Sequence, residues 1–365
     1  MRRVRLEQVK AGMIVAQPIY ASDGRLLIAA GVALKDSYLK RLESIGISSL
    51  VIADPRFGSV EPPDLLSKNT RKQAMQVVAK SMENLRISGR IDIQELTHTV
   101  KDIIDDIFLN RDVIYNFSNL FSYDDYTLNH SVNVSVLSIL LGISMDYPRA
   151  VLQELGIGAL LHDVGKIYVD KSILNKPGIF TAFEFEEVKK HTIKGYETLI
   201  NNSDISMEST IVALQHHERF NGSGYPFAYK EDEIDEFARL TAIGDTYDAL
   251  IADRIYRKGY PPDEALDIIK KGSGSEFDPR VVPFFLMNVA KYPVGSLVAL
   301  NNGRIGMVVK VKRGAPERPL VRVLKDQIKE GELSYEEIDL SEDGSLSIVK
   351  IIDGTQMSSA DLFNE

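Results

Sequence analysis

The sequence predicts a multidomain chain: an all-α helical domain flanked by a small N-terminal α+β unit and a small C-terminal antiparallel β unit. Three observations predict it. Short apolar runs broken by turn residues open the chain, helix-period patterns fill its middle, and short strand-like runs return after Tyr292. At 365 residues the chain is long enough for two or three domains and a substantial core.

Composition narrows the function classes. The chain is 44% hydrophobic and 26% charged, as in an ordinary globular protein. Its net charge of −9 argues against DNA or RNA binding through a broad basic face. No eighteen-residue apolar run appears, so no membrane span is expected. The basic start, Met1-Arg2-Arg3-Val4-Arg5-Leu6, lacks the apolar core of a signal peptide. Cysteine is absent, which removes disulfides and thiolate ligands and agrees with a cytoplasmic protein. Any bound metal must take nitrogen and oxygen ligands, favouring iron or manganese over a structural zinc.

Residues 1–58 read as the N-terminal unit. Runs at 13–16, 26–28 and 49–52 suit strands, with Ser22-Asp23-Gly24 as a turn. Leu34, Tyr38, Leu42 and Ile45 recur at helical spacing, and Gly46 is placed to end that helix. Residues 55–63, rich in breakers, read as a linker. Within 59–112, helical patterns over 65–85 and 93–108, divided by Ser88-Gly89, suggest a stalk that offers a homodimer contact. His98 on the second of these reads as a surface histidine.

Residues 113–292 form the helical domain. A helix from about Thr127 carries His130 on the face of Val134, Leu137 and Leu141. Pro148 suits a first helical position, with Asp146 near the cap, for a helix running to His162 and Asp163. Gly165 permits a sharp exit. Thr181-Ala182-Phe183-Glu184 is a capping box, opening a helix with His191 on the face of Val188 and Gly195. Residues 211–214 lead into Gln215-His216-His217-Glu218. Ala238, Thr241, Ala242, Asp245 and Ala249 share a small-residue face, with Asp248 a turn beyond Asp245. Residues 293–352 alternate strand patterns (295–300, 305–311, 320–324, 347–351) with turns that include Asn301-Asn302-Gly303, and 353–365 is a polar tail.

The chain has six histidines, and His130, His162, His191, His216 and His217 all stand at inward helical positions or helix ends of one domain, with Asp163 and Asp245. A lone buried histidine is most often a hydrogen-bond partner. Seven such groups in one domain point instead to metal, and to more than one ion. Two cations about 3.5–4 Å apart can activate a water and clamp a phosphate. The neighbouring Lys166 suits an anionic substrate.

These motifs resemble a known family. Leu161-His162-Asp163-Val164-Gly165-Lys166, then Leu174-Asn175-Lys176-Pro177-Gly178, then His191, then the run from His216 through Gly222-Ser223-Gly224-Tyr225-Pro226 resemble the HD-GYP cyclic-dinucleotide phosphodiesterases, a branch of the HD phosphohydrolases. Residues 243–250 and Asp253-Arg254-Ile255-Tyr256-Arg257 match as well, so the likeness spans roughly 115–292.

The resemblance implies an HD-type catalytic domain that hydrolyses cyclic di-GMP to linear pGpG and onward to GMP. It implies His130, His162, Asp163, His191, His216, His217 and Asp245 as ligands of two divalent ions, with Asp163 bridging. Lys166 would protonate the departing 3′ oxygen or offset its charge. Tyr225 would line the pocket, Arg254 and Arg257 would hold phosphates, and Asp124 and Asp248 would be further substrate contacts. Some family members hold a third metal through a glutamate where this chain has Tyr126, so two ions are expected. Ligand histidines must be neutral, so activity is expected to fall below about pH 6. A non-catalytic cyclic-dinucleotide receptor and a phosphodiesterase for cyclic GMP-AMP remain the alternatives.

Overall fold

The computed structural model describes residues 2–20, 26–45, 47, 49–54, 57, 58, 60, 62–116, 126–176, 178–252, 259–325 and 335–352. They form two compact units: Met1–Asp64 with Asp112–Tyr126 and Val289–Glu365, and Leu65–Arg111 with Thr127–Asn288.

In the first unit β1 (Arg2–Arg5) pairs antiparallel with β4 (Ser49–Ile52), and β2 (Ile19–Tyr20) with β3 (Leu26–Ile28). With α1 (Asp36–Ser44) they enclose a core of Val4, Val15, Leu34, Leu42 and Leu50. β1 escapes a sequence reading because three of its four residues are arginine. Residues 13–16 make only single bridges, Ile14 to Ala33 and Val15 to Ile52. Gly46 lies outside the described residues.

The C-terminal strands are β5 (Leu297–Leu300), β6 (Ile305–Lys312), β7 (Ala315–Leu324), β8 (Tyr335–Asp339) and β9 (Ile348–Ile351). They form one antiparallel sheet in the order β8-β7-β6-β5-β9. Its core takes in Phe57, Val60, Ile114, Ala290 and Tyr292. Within the stretch read as a linker, Phe57 is fully buried, and its carbonyl accepts from Arg322 Nη1 at 2.5 Å. The expected boundaries at 113 and 292 also move. Tyr115 bridges Val289, and the Val294 N–H donates to Asn116 Oδ1 at 3.1 Å, tying both segments to the β cores. The tail from 353 lies outside the described residues.

The second unit is helical. α2 (Lys68–Ser88) starts at Ser67, whose side chain accepts from the Thr70 N–H, and ends at Gly89 in the left-handed region. α3 (Ile93–Leu109) is capped by Asp92. The expected stalk is corrected here: α3 buries Leu96, Val100, Ile103, Ile104 and Ile107 within the unit, and Gln153 Nε2 donates across to its Thr97 carbonyl at 3.2 Å. Each such side chain contributes about 1.5–3 kcal/mol on burial, so the stripe read as a dimer contact is spent on the unit's own core.

α4 (Tyr126–Ser144) is buried on nearly every side, which removes its amphipathic signal. Its Thr127–Ser144 stretch is long and apolar enough to span a bilayer, yet 78% of it is buried inside the unit. α5 (Arg149–Leu161) has Pro148 as its N-cap, one position earlier than expected, and Asp146 supplies no cap hydrogen bond. The chain continues through α6 (Lys171–Leu174), α7 (Ala182–Ile200), α8 (Met207–Gln215), α9 (Glu236–Ile251), α10 (Pro262–Lys271) and α11 (Val282–Asn288). The Thr181–Glu184 capping box opens α7 with both reciprocal bonds formed.

Candidate metal centre

Each predicted ligand is delivered by a helix or its end. His130 stands one turn into α4, His162 and His216 cap the C-termini of α5 and α8, and His191 lies within α7. Asp163 opens the 3-10 turn Val164–Tyr168, and Asp245 lies on α9. Turn and helix meet closely enough that a Cβ on Gly165 would sit 1.9 Å from the His191 carbonyl oxygen. Only glycine fits there.

The seven groups converge in two clusters, Asp163 with His191, His216 and His217, and His130 with His162 and Asp245. Asp163 stands between them. Its Oδ1 faces His191 Nε2 at 3.4 Å and His216 Nε2 at 3.7 Å, while its Oδ2 faces His162 Nε2 at 3.4 Å and His130 Nε2 at 3.8 Å. His130 Nε2 also lies 3.1 Å from Asp245 Oδ1.

Hydrogen bonds on the far side of four of the five rings orient them, while His217 turns its Nδ1 toward Asp245 Oδ2 at 3.6 Å. Nδ1–H donates to Ala159 O in His162 (2.7 Å), to Val188 O in His191 (2.6 Å) and to Val212 O in His216 (3.0 Å). In His130 it donates to Asp248 Oδ2 at 2.7 Å. In His162, His191 and His216 the Nε2 lone pair therefore turns inward, as a ligand's must, and in His130 it is Nε2 that faces inward.

Asp163 Oδ1 and His162 Nε2 are buried with no hydrogen-bond partner within the structure. A buried acceptor left so costs about 1–3 kcal/mol, and one cation in each cluster would satisfy both atoms. The donor set fits two divalent ions.

Charge follows from this packing. Burial drives the His191 imidazole down to about 3 and pulls His216 and His217 the same way. His130 goes the other way: burial opposes its charge, but Asp245 and Asp248 prevail and hold the proton up to about 10. Against the cost of burial, Lys166 and His162 keep Asp163 well below the usual carboxylate range, and His130 and His217 do so for Asp245.

Lys166 is ion-paired with Asp163 Oδ2 at the rim, its side chain 30% exposed. Tyr225 lies over His217 with ring centroids 4.7 Å apart, and its N–H donates to the His217 carbonyl at 3.2 Å. Its loop folds back so tightly that a Cβ on Gly224 would meet Glu218 Cα at 2.4 Å. Asp248 is a correction. It is 1% exposed, with one oxygen on His130 and the other accepting from Asn133 Nδ2 at 2.8 Å, so both oxygens are taken up inside the unit and neither is open to a bound molecule. Asp124, Arg254 and Arg257 lie outside the described residues. His98 is a surface residue, 68% exposed beside Asp102.

Sequence reasoning missed three contributors. Asn133 lies on an otherwise mostly apolar helix, where nothing in its sequence neighbourhood marks it. Buried Glu218 accepts the Phe227 N–H at 2.8 Å and anchors the Tyr225 loop. Phe185 stands edge-on to Tyr225 at 6.1 Å, immediately after the capping box.

The HD domain family signature matches residues 119–281, and that of the KOW domain associated with HD domain matches 297–360. A cyclic di-GMP phosphodiesterase of Pseudomonas aeruginosa is 34% identical over 74% of this chain and 66% of its own length. One from Thermotoga maritima is 40% identical over 45% of each chain. A 3'3'-cGAMP-specific phosphodiesterase of Vibrio cholerae is 30% identical over 56% of this chain and 46% of its own. The chain thus spans about half to two thirds of these relatives. Among solved structures, a protein from Bdellovibrio bacteriovorus described as "HDG"Y"P" aligns over 78% of this chain at a TM-score of 0.45 and 18% identity.

Proposed function

Residues 119–281 belong to the HD domain family, and on that premise we propose that this chain is a metal-dependent phosphodiesterase hydrolysing cyclic di-GMP to linear pGpG and then GMP. The observation that carries the reading is Asp163, whose two oxygens each face a separate cluster of inward-turned imidazoles. Such a carboxylate is built to be shared.

A phosphodiester resists hydrolysis because its charge repels the nucleophile and its leaving alkoxide is poor. Two divalent cations, held by His130, His162 and Asp245 and by His191, His216 and His217 around a common Asp163, would supply Lewis acidity and an activated water. Nitrogen and oxygen donors alone favour iron or manganese, and Tyr126 at the third-metal position argues for two ions.

The chain's own side chains do the rest. Lys166 Nζ protonates the departing 3′ oxygen or offsets its charge. Tyr225 walls the substrate cleft against His217, with Glu218 holding its loop. Arg254 and Arg257 take the phosphates. A cysteine-free chain acting on a cyclic dinucleotide suits the cytoplasm.

The activities in the relatives' names support this reading, and the Vibrio cholerae relative supports cyclic GMP-AMP as a second substrate. Anaerobically purified protein, analysed for metal and assayed on both dinucleotides, tests it. Two ions per chain and release of pGpG, abolished in Asp163→Ala, are expected. Tight binding of cyclic di-GMP without turnover, with both ions loaded, would establish a receptor instead.

A further inference from the structure

We propose that Arg71 is a positioning residue for His130, acting through Asn133 and Asp248. The inference rests on the metal reading above and adds a residue from α2, outside the stretch that matches the HD domain family.

Four buried side chains form one hydrogen-bonded line. Arg71 Nη1 donates to Asn133 Oδ1 at 2.9 Å and to Asn129 Oδ1 at 3.3 Å. Asn133 Nδ2 donates to Asp248 Oδ1 at 2.8 Å, and His130 Nδ1 meets Asp248 Oδ2 at 2.7 Å. Arg71 is 6% exposed, Asn133 and Asp248 1% and His130 4%, so solvent has little access to any link.

Donor and acceptor chemistry makes the line directional. A guanidinium has donors only, so the atom that Asn133 turns to Arg71 must be its carbonyl oxygen. That places the Asn133 amide NH₂ on Asp248, and the Asp248 carboxylate can then only accept. His130 must answer with Nδ1–H, which fixes the ring so that Nε2 is the nitrogen aimed between Asp163 and Asp245. Without a donor at position 71, the Asn133 amide is free to flip and set its carbonyl against Asp248, and the ring loses its fixed orientation. A buried polar line of this kind acts as a unit.

The test uses the full chain and Mn²⁺. In Arg71→Met the affinity of the His130, His162 and Asp245 cluster is expected to fall about tenfold, as for other outer-sphere partners. The His191, His216 and His217 cluster should stay within about twofold. Arg71→Lys, which keeps a donor, should restore most of the loss, and Arg71→Met in an Asp248→Asn background should cost nothing further. Equal weakening of both clusters, or full additivity with Asp248→Asn, would overturn the proposal and leave Arg71 a packing residue. Should Arg71→Met not fold, Asn133→Leu breaks the same line.

A second readout needs no metal. In the metal-free chain the hydrogen-bonded His130 Nδ1 proton, identified by its loss in His130→Gln, should move upfield in Arg71→Met. An unmoved resonance would overturn the positioning role. A wild-type chain that takes up no Mn²⁺ while this resonance still responds to Arg71 would instead sink the metal reading alone.

Discussion

Loading the metal centre should expel a proton from one identifiable residue. With no metal bound, Asp245 and Asp248 hold His130 protonated up to about pH 10, while burial has driven His191 to about 3 and lowered His216 and His217. A cation at His130 Nε2 must displace that proton. At pH 7 the gap from 10 is three units, a competition of about 10³-fold or about 4 kcal/mol. The sign follows: the raised group favours the proton below its pKa, so metal affinity at this cluster climbs about tenfold per pH unit from 6 to 9 and levels off above 10. The cluster of His191, His216 and His217 should show almost no slope there. Calorimetric Mn²⁺ titration in two buffers of different ionisation enthalpy counts the protons. About one should leave the wild type on filling the His130 cluster, and none from that position in His130→Gln. Release of under about a third of a proton, or an unchanged slope in His130→Gln, would refute the reasoning. Such an outcome would also place the acid limb above the pH 6 expected of an ordinary imidazole, because Asp245 and Asp248 raise His130.

Two further outcomes follow from the same geometry. Asp163→Asn removes the charge and turns an amide NH₂ toward one cluster. Metal content should fall from two ions to one or none, and turnover by roughly three decades, about 4 kcal/mol. An enzyme that keeps both ions would contradict the sharing of that carboxylate. Gly165→Ala must force apart two backbones, since the new methyl would lie 1.9 Å from the His191 carbonyl oxygen and 2.5 Å from the Gly195 nitrogen. We expect at least about 3 kcal/mol of destabilisation, or about 6–12 °C in Tm, with weaker metal uptake at His191. A wild-type melting curve would show that α7 is held less tightly than its contacts indicate.

The local features were legible. The capping box at Thr181 and Glu184, the stop at Gly89 and the turn before β6 each follow from side-chain chemistry within a few residues, and each forms. The long-range ones were not. Phe57 sits among breakers and reads as linker, yet it enters a sheet core built from residues far along the chain. α3 reads as a stalk because an apolar stripe reveals that it will be covered and not by what. β1 hides behind its arginines, with the buried Val4 as its one apolar residue.

The metal centre divides along the same line. His162, His191 and His216 each take their Nδ1 acceptor from a backbone carbonyl three or four residues earlier. A helix that carries such a ligand also orients it, so these rings could be read from sequence spacing alone. His130 takes its acceptor from Asp248, on α9 and 118 residues away. Nothing near His130 announces that dependence, and nothing near Asp248 distinguishes an orienting carboxylate from a substrate contact. The ring whose geometry was least legible is thus the one that relies on other helices, and it is also the one whose proton a metal must displace. If the proposed line acts as a unit, its strength as a ligand would be set by α2, α4 and α9 together, whereas the opposite cluster would depend mainly on the helices that bear it.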